Sequence, residues 1–359
     1  MSWLAFHIKK FPKSFLGIDI GTSSIRVVEL SRKAKNLILT NYGEVKTSSL
    51  QKSPFRVFEK NSLVLSNREI AVAIESILKT AEIQTKEVNF SIPDFATFFT
   101  TFQLPPMEEK ELSHAIKYEA RSYIPLPLSE ITLDWLIIEG RAQEKFTGPI
   151  KILVAAIPNE IIEHYQEIAN LTNLKMRSLE AEAFSLARAL SYNQNKIISI
   201  VDIGARSTTI NVLENGVLKS SHSFNLSGNE ITATLSRSLK IDYKKAEELK
   251  IKVGLAGLNE KINVREILIP VIDLVLNEIK KIFQNFYQQE GKNVEKIILS
   301  GGTALLPGLK EYVAQEFKQE VEIANPFFGI SYPPILEEVL KEMGPIYSIA
   351  VGLAKKEFF

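Results

Sequence analysis

Apolar and polar positions alternate along Phe15–Leu30, FLGIDIGTSSIRVVEL, on either side of a Gly-Thr-Ser-Ser break. That spacing predicts a strand, a turn and a second strand. A charged turn around Ser31–Asn36 leads to another apolar strand, Leu37–Thr40, so the segment opens a meander. Ser66 and Glu69 have the spacing of a capping box, and Ile70, Ile74, Ile77, Leu78 and Ala81 fall on one face of the helix that follows. Strands are predicted at Val88–Pro93 and Thr97–Leu104, the second stopped by Pro105-Pro106. A helix over Glu108–Tyr123 closes on Ile-Pro-Leu-Pro at 124–127. Strands Ile131–Glu139 and Ile150–Pro158 then flank a polar loop before helix Glu160–Leu171. Residues 88–176 therefore read β-β-α-β-β-α, a compact α+β insert.

After a helix at Ala181–Leu190, the opening pattern returns as KIISIVDIGARSTTINVL, Lys196–Leu213. Its second strand runs into Glu214-Asn215-Gly216, where Asn-Gly suits a type I′ hairpin turn. Ser227 and Glu230 have capping-box spacing ahead of a helix to Leu239, and helices follow at Tyr243–Lys250 and Glu266–Gln289. Lys296–Ser300 is a buried strand entering Gly301-Gly302-Thr303, and a helix at Ile346–Lys355 comes last. Strands alternate with helices in both halves, which predicts an α/β architecture with a repeated internal plan.

Composition narrows the partners more than the fold. The 359 residues carry a net charge of +1, too little for a global field that recruits nucleic acid or anionic lipid. There is no cysteine, which removes disulfides, thiolate metal sites and cysteine nucleophiles. No apolar run approaches the roughly 18 residues of a membrane span. The nearest, Ile267–Leu276, carries Asp273 and reads as a buried helix. In MSWLAFHIKKFPKSF the lysines follow the apolar residues, the reverse of a signal peptide. Trp3, Leu4, Phe6 and Phe11 could touch a membrane surface or dock on the protein's own domain. A cytoplasmic location is expected.

The repeated turn carries the candidate chemistry. Placing Asp19 over Asp202 puts Ile18 over Val201, Ile20 over Ile203, Gly21 over Gly204 and Ser24 over Ser207. Glycine lets the backbone turn tightly and lets an anion approach the amides, and Thr22, Ser23 and Ser24 offer hydroxyl donors to phosphate oxygens. The aspartates repel phosphate but can hold a hydrated Mg²⁺. One Asp-x-Gly is ordinary strand-end turn chemistry; two copies in like context favour a polyphosphate gripped from both sides. The stretch IILSGGTALLPGL, Ile297–Leu309, adds a Gly-Gly turn whose bare backbone suits a purine face, or serves as a plain strand–helix turn.

These pieces, in this order, resemble the actin-like ATPase superfamily. The motifs LGIDIGTSSIRVVEL, EARSYIPLPL (Glu119–Leu128) and LEAEAFSLARAL (Leu179–Leu190) resemble more narrowly the PilM family of type IV pilus assembly proteins, in the FtsA-like branch, over essentially the whole chain. The resemblance implies two α/β lobes around an ATP cleft. The first-lobe core is 12–87, completed by 177–196 and 344–359; the second is 197–238, completed by 295–343, with a helical subdomain at 239–294. Residues 88–176 match the FtsA-like insert.

By motif, Asp19, Gly21, Thr22, Ser23 and Ser24 form the first phosphate loop, with Arg26 directed at the phosphates. Asp202, Gly204, Ala205 and Ser207 form the second, with Asp19 and Asp202 holding Mg through water. Arg206 departs from the small residue frequent there, so it points away or touches phosphate. Gly228 and Asn229 match a helix start near ribose and phosphates. Glu247 and Lys250 match ribose and adenine positions or make a surface ion pair, and Gly301, Gly302 and Thr303 bound the adenine. Glu182, with Glu180 beside it, stands where a water-orienting residue is expected, or merely favours the helix dipole.

The resemblance implies ATP and Mg as cofactors, with at most weak ATPase activity. It implies binding of the short cytoplasmic N-terminal peptide of a PilN-like inner-membrane protein in a groove beside the insert. Tyr123, Ile124, Pro125 and Leu126 are candidates for that groove or for core packing. Other pilus assembly proteins are further expected partners, with no nucleic acid, and homo-oligomerisation stays open. The chain ends at Lys356-Glu357-Phe358-Phe359 without the basic amphipathic tail of FtsA. Membrane contact is therefore expected to be indirect, at the inner membrane through a partner. The alternatives are an FtsA-like division or filament protein and a small-molecule kinase of the same superfamily.

Overall fold

The computed structural model describes residues 14–47, 58–59, 62–63, 65–143, 147–192, 196–257 and 263–358. Trp3, Leu4, Phe6 and Phe11 lie outside them, as does any membrane contact they were expected to make.

The first meander is β1 (Ser14–Ile20), β2 (Ser24–Lys33) and β3 (Asn36–Lys46), paired antiparallel. A small hairpin, β4 (Phe58–Glu59) and β5 (Ser62–Leu63), precedes α1 (Asn67–Thr80). The capping box forms as expected, Ser66 and Glu69 satisfying each other's backbone N–H. Strand β6 (Glu87–Ile92) then pairs parallel with β1. The chain next leaves this sheet to build a three-stranded layer from β7 (Phe98–Leu104), β8 (Ile131–Glu139) and β9 (Ile150–Pro158), in the order β7-β9-β8, backed by α2 (Glu109–Ala120). It returns through α3 (Asn159–Leu171) and β10 (Lys175–Ala181), which pairs parallel with β6, and enters α4 (Glu182–Leu190).

The insert is thus smaller than the β-β-α-β-β-α unit expected over 88–176. Strand β6 lies between β10 and β1 in the first-lobe sheet, and Tyr165, Ile168 and Ala169 of α3 share a core with α1 and β1. A central strand is buried on both faces and shows no alternation to say which sheet it joins. Its pairing is decided by residues far along the chain.

The second meander is β11 (Ile197–Ile203), β12 (Thr208–Glu214) and β13 (Val217–Phe224). Asn215 and Gly216 both take positive φ, 51° and 80°, as a type I′ turn requires. Helices α5 (Gly228–Leu239), α6 (Tyr243–Val253) and α7 (Val264–Glu290) follow, then β14 (Lys296–Ser300), α8 (Leu309–Phe317) and β15 (Glu320–Ile323). This sheet runs β13-β12-β11-β14-β15, with β14 parallel to β11 as β6 is to β1. Strand β16 (Ile330–Ser331) adds to the free edge of β3, and α9 (Glu337–Lys355) comes last. That helix begins well before the expected Ile346. It runs through Gly344-Pro345, where a side chain on Gly344 would meet the Ala324 carbonyl at 2.9 Å.

Helices α1 and α3 cover one face of the first sheet and α9 the other; α5 to α8 cover the outer face of the second. Between the sheets lie α4 and α9, whose Leu186, Leu190, Ile349 and Leu353 share a core with Ile198 and Ile200 of β11. Two glycines allow this close fit: a Cβ on Gly17 would sit 2.0 Å from the Ala350 carbonyl oxygen, and one on Gly352 equally near that of Ser185.

Candidate functional site

The two Asp-Ile-Gly turns are the same turn. Asp19 pairs with Arg26 and Ile20 with Ile25; Asp202 pairs with Thr209 and Ile203 with Thr208. Gly21 N donates to Ser24 O at 3.0 Å, and Gly204 N to Ser207 O at 2.9 Å. Thr47 braces the first loop, its Oγ1 donating to the carbonyls of Thr22 and Ser23 at 3.1 Å. The Ser24 hydroxyl is buried with no hydrogen-bond partner among the described residues, the condition of a group that awaits one.

Each loop follows a strand flanked by a parallel neighbour, so side chains at the carboxyl ends of β1, β6 and β11 gather together, the usual place for a site in α/β sheets. Asp19 accepts from Ser91 Oγ and from Arg26 Nη1, each at 3.2 Å, and Arg26 Nε donates to Glu44 at the same distance. Burial raises the Asp19 pKa against the pull of Arg26. Asp202 is pushed up to about 6 by burial, opposed by the Ser300 hydroxyl and reinforced by the charge of Asp19. Burial likewise raises Glu182, helped by Asp94, Asp19 and Asp202, and lifts Asp94 to about 7, with Asp202 adding to it.

Sequence reasoning missed Asp94. Its signal was positional: it stands just past the end of a strand parallel to β1. Glu180, weighed beside Glu182, faces elsewhere. Its carboxylate is held by Arg188 at 2.6 Å and Lys356 at 2.7 Å and accepts from Ser185, tying β10 to α4 and the end of α9.

On the second lobe, Gly228, Thr303 and Lys250 come together: a Cβ on Gly228 would lie 2.6 Å from Thr303 Oγ1 and 3.7 Å from Lys250 Nζ. Buried Lys250 bonds Glu247 at 2.7 Å, Thr232 at 2.8 Å and the Gly228 carbonyl at 3.2 Å. Burial lowers its pKa, and Glu247 opposes that. Glu247 and Lys250 are three residues apart on α6, and their pair is built into the lobe through buried Lys250, not a purely surface one. Gly301 N and Ser300 Oγ both donate to the Pro345 carbonyl at 3.1 Å, which ties this turn to α9; Gly302 faces open space.

Two expectations at α5 change. Ser227 caps nothing: no helix amide donates to its hydroxyl, which instead donates to Ala205 O of the second loop at 2.8 Å. The Gly228 and Asn229 amides donate to Gly204 O and Ala205 O, each at 2.9 Å, so these two hold the loop instead of meeting an anion. Arg206 turns toward the insert, its Cζ 4.6 Å from the centroid of Phe95.

Two like lobes, each offering an Asp-Ile-Gly hairpin across a shared helix pair, define the actin-like ATPase fold. The chain superposes with a TM-score of 0.53 on MreB 5 of Spiroplasma citri bound to AMPPNP, at 13% identity over 92% of this chain and 97% of that one. On the PilM-PilN type IV pilus biogenesis complex it does so with a TM-score of 0.84, at 24% identity over 95% and 97%. The cell division protein FtsA of Bacillus subtilis is 23% identical over 90% of this chain and 82% of its own length. The profile of the family "Type IV pilus assembly protein PilM" matches residues 17–358, and the chain belongs to that family.

Proposed function

We propose that this pilus assembly protein is an ATP-binding scaffold that also takes up the cytoplasmic N-terminal peptide of a PilN-like protein. The observation that carries the nucleotide reading is the pair of like turns, each following a strand that ends on a buried aspartate, with the charge of Asp19 felt at Asp202. ATP fits the residues present: the Ser24 hydroxyl lacks a partner among the described residues, and the clustered carboxylates call for a cation. Among the described residues no three metal-ligating side chains form a cage, so an ion held by Asp19 and Asp202 takes its other ligands from phosphate and water. Bound Mg²⁺ would supply charge neutralisation. Gly21–Ser24 and Gly204–Ser207 cradle phosphates, Lys250 and Glu247 border the sugar, and Gly301–Thr303 border the base. Glu182, whose carboxyl is held above its ordinary range by burial and by the neighbouring acids, orients a water.

For the peptide, support comes from the family, from the likeness to the PilM-PilN complex, and from apolar side chains left exposed on the insert. Tyr118 is 74% exposed, Tyr123 44% and Leu126 41%, whereas Ile124 is core. Tyr123 is also stacked on Phe102 at 5.4 Å. Among the described residues no helix is long and apolar enough to cross a membrane, and inner-membrane recruitment through the partner completes the reading.

A thermal-shift titration tests the nucleotide. Mg-ATP at a hundred times its Kd adds about 2.7 kcal/mol to the native state, raising the midpoint by about 3 °C or more at this size. Asp19→Ala and Asp202→Ala should each abolish the rise while unfolding cooperatively. If both respond as the parent does, the site is misplaced.

A further inference from the structure

The chain leaves the first-lobe sheet at Pro93 and enters the insert through a single 3-10 turn, Asp94–Ala96. That turn touches both sides of the site. Asp94 N donates to Glu182 Oε2 at 3.2 Å, and Asp94 Oδ1 accepts from Ala183 N at 3.1 Å. The turn and the start of α4 are thus joined by two reciprocal hydrogen bonds. Asp94 is only 2% exposed, and its other oxygen, Oδ2, has no hydrogen-bond partner among the described residues. An unsatisfied buried carboxylate oxygen beside other acids is costly, so this arrangement is sensitive to the charge its surroundings hold. One residue further, the Phe95 ring stacks with the Arg206 guanidinium of the second loop. Beyond it, Phe98 and Phe99 of β7 face Ser221 and Ser223 of β13 across a cleft of about 220 Å³. The insert is therefore chained to the first lobe but rests on the second, where Lys151 of β9 pairs with Glu290 and Lys219 of β13 donates to Ile138 O at 2.8 Å.

We propose that Asp94 and Phe95 are positioning residues that link the nucleotide site to the insert: Asp94 sets the Glu182 carboxylate, Phe95 seats Arg206, and occupancy of the site is felt by β7 and β8. The proposal rests on the ATP reading above. A cation and triphosphate between the loops relieve the repulsion that Asp19 and Asp202 exert on buried Glu182, to which the Asp94 amide is bonded, and fix Arg206 from its other side. Both effects act on one turn at the root of the insert. The Asp94 amide holds Glu182 whatever the side chain, so the side chain acts through its bond to Ala183 N: an amide in its place, which keeps the Oδ1 acceptor, preserves that bond, and a methyl group does not.

Amide hydrogen exchange of the full chain, with and without Mg-ATP, tests this. In the parent, exchange in β7 and β8 should change by about fivefold or more. In Phe95→Ala, and in Phe95→Leu, which keeps apolar volume without an aromatic face, Mg-ATP should still stabilise the protein but leave the insert's exchange unaltered. Asp94→Ala should lose the insert's response and Asp94→Asn should keep it, a rescue that a merely structural role does not predict. A parent stabilised by Mg-ATP whose insert does not respond overturns the link. A normal response in Phe95→Ala or Asp94→Ala overturns the role of the turn. If the parent is not stabilised at all, the ATP reading itself falls, and the proposal with it.

Discussion

Asp94 and Asp202 ionise in buried surroundings that also hold negative charge, and this gives the protein a pH signature. In the unfolded chain both titrate near 3.8; in the folded protein they are raised to about 7 and about 6. Between these limits the native state binds more protons than the unfolded one, so their contribution to stability falls as pH rises. It is complete below about pH 4 and lost above about pH 7. Melting midpoints at pH 5 and pH 7.5 should therefore drop in the parent and drop less in Asp94→Asn; equal drops in the two would contradict the assignment. The sequence announced Asp19 and Asp202 through their repeated context but gave no local sign of Asp94. A Pro-Asp pair after a strand is ordinary turn material, and only the parallel pairing of β6 with β1 brings it to the site. Ser227 misled for the opposite reason: its capping spacing was genuine, but its hydroxyl is turned to the carbonyl of Ala205 on the second loop, a contact that no local pattern announces.

At the scale of elements, the hairpins were legible because everything that defines them is local. Alternation, turn glycines and the Asn-Gly at 215–216 fix the register of β1 with β2 and of β12 with β13 without help from elsewhere. Strands β10, β15 and β16 were not read as strands: β15 and β16 have only 4 and 2 residues, and the partners of β10 and β16, β6 and β3, lie far away in sequence. Packing of α4 on α9 also hid in plain view, in the small residues of LARAL and AVGLA. The Ser185 carbonyl lies where a side chain on Gly352 would have to be. Gly352→Ala should therefore cost about 3 kcal/mol or more by overpacking two backbones, read by chemical denaturation. A loss under about 1 kcal/mol would mean that the helices separate more readily than their core implies.

For the whole molecule, sheet membership decides what can be removed. Phe98 and Ala156 are paired neighbours at the ends of β7 and β9, so a short linker can replace 98–157 without reaching across the lobe. That deletion should stay folded, at a lower midpoint since Ile138 and Leu153 leave a shared core, and should keep its Mg-ATP response while losing the peptide. Deleting 88–176 instead removes the strand between β1 and β10, and this product should be insoluble. A soluble, ATP-responsive 88–176 deletion would contradict the placement of β6. The two-lobed plan itself was legible from its repetition; the seam of the insert was not, because buried strands look alike until their partners are known.

Closure of two mirrored loops on one nucleotide would be visible in amide exchange within the loops themselves. Saturating Mg-ATP should slow exchange in Gly21–Ser24 and Gly204–Ser207 together, over the same concentration range, and Asp202→Ala should remove the protection in both. Protection confined to one loop, or arising in the two at clearly different concentrations, would contradict it.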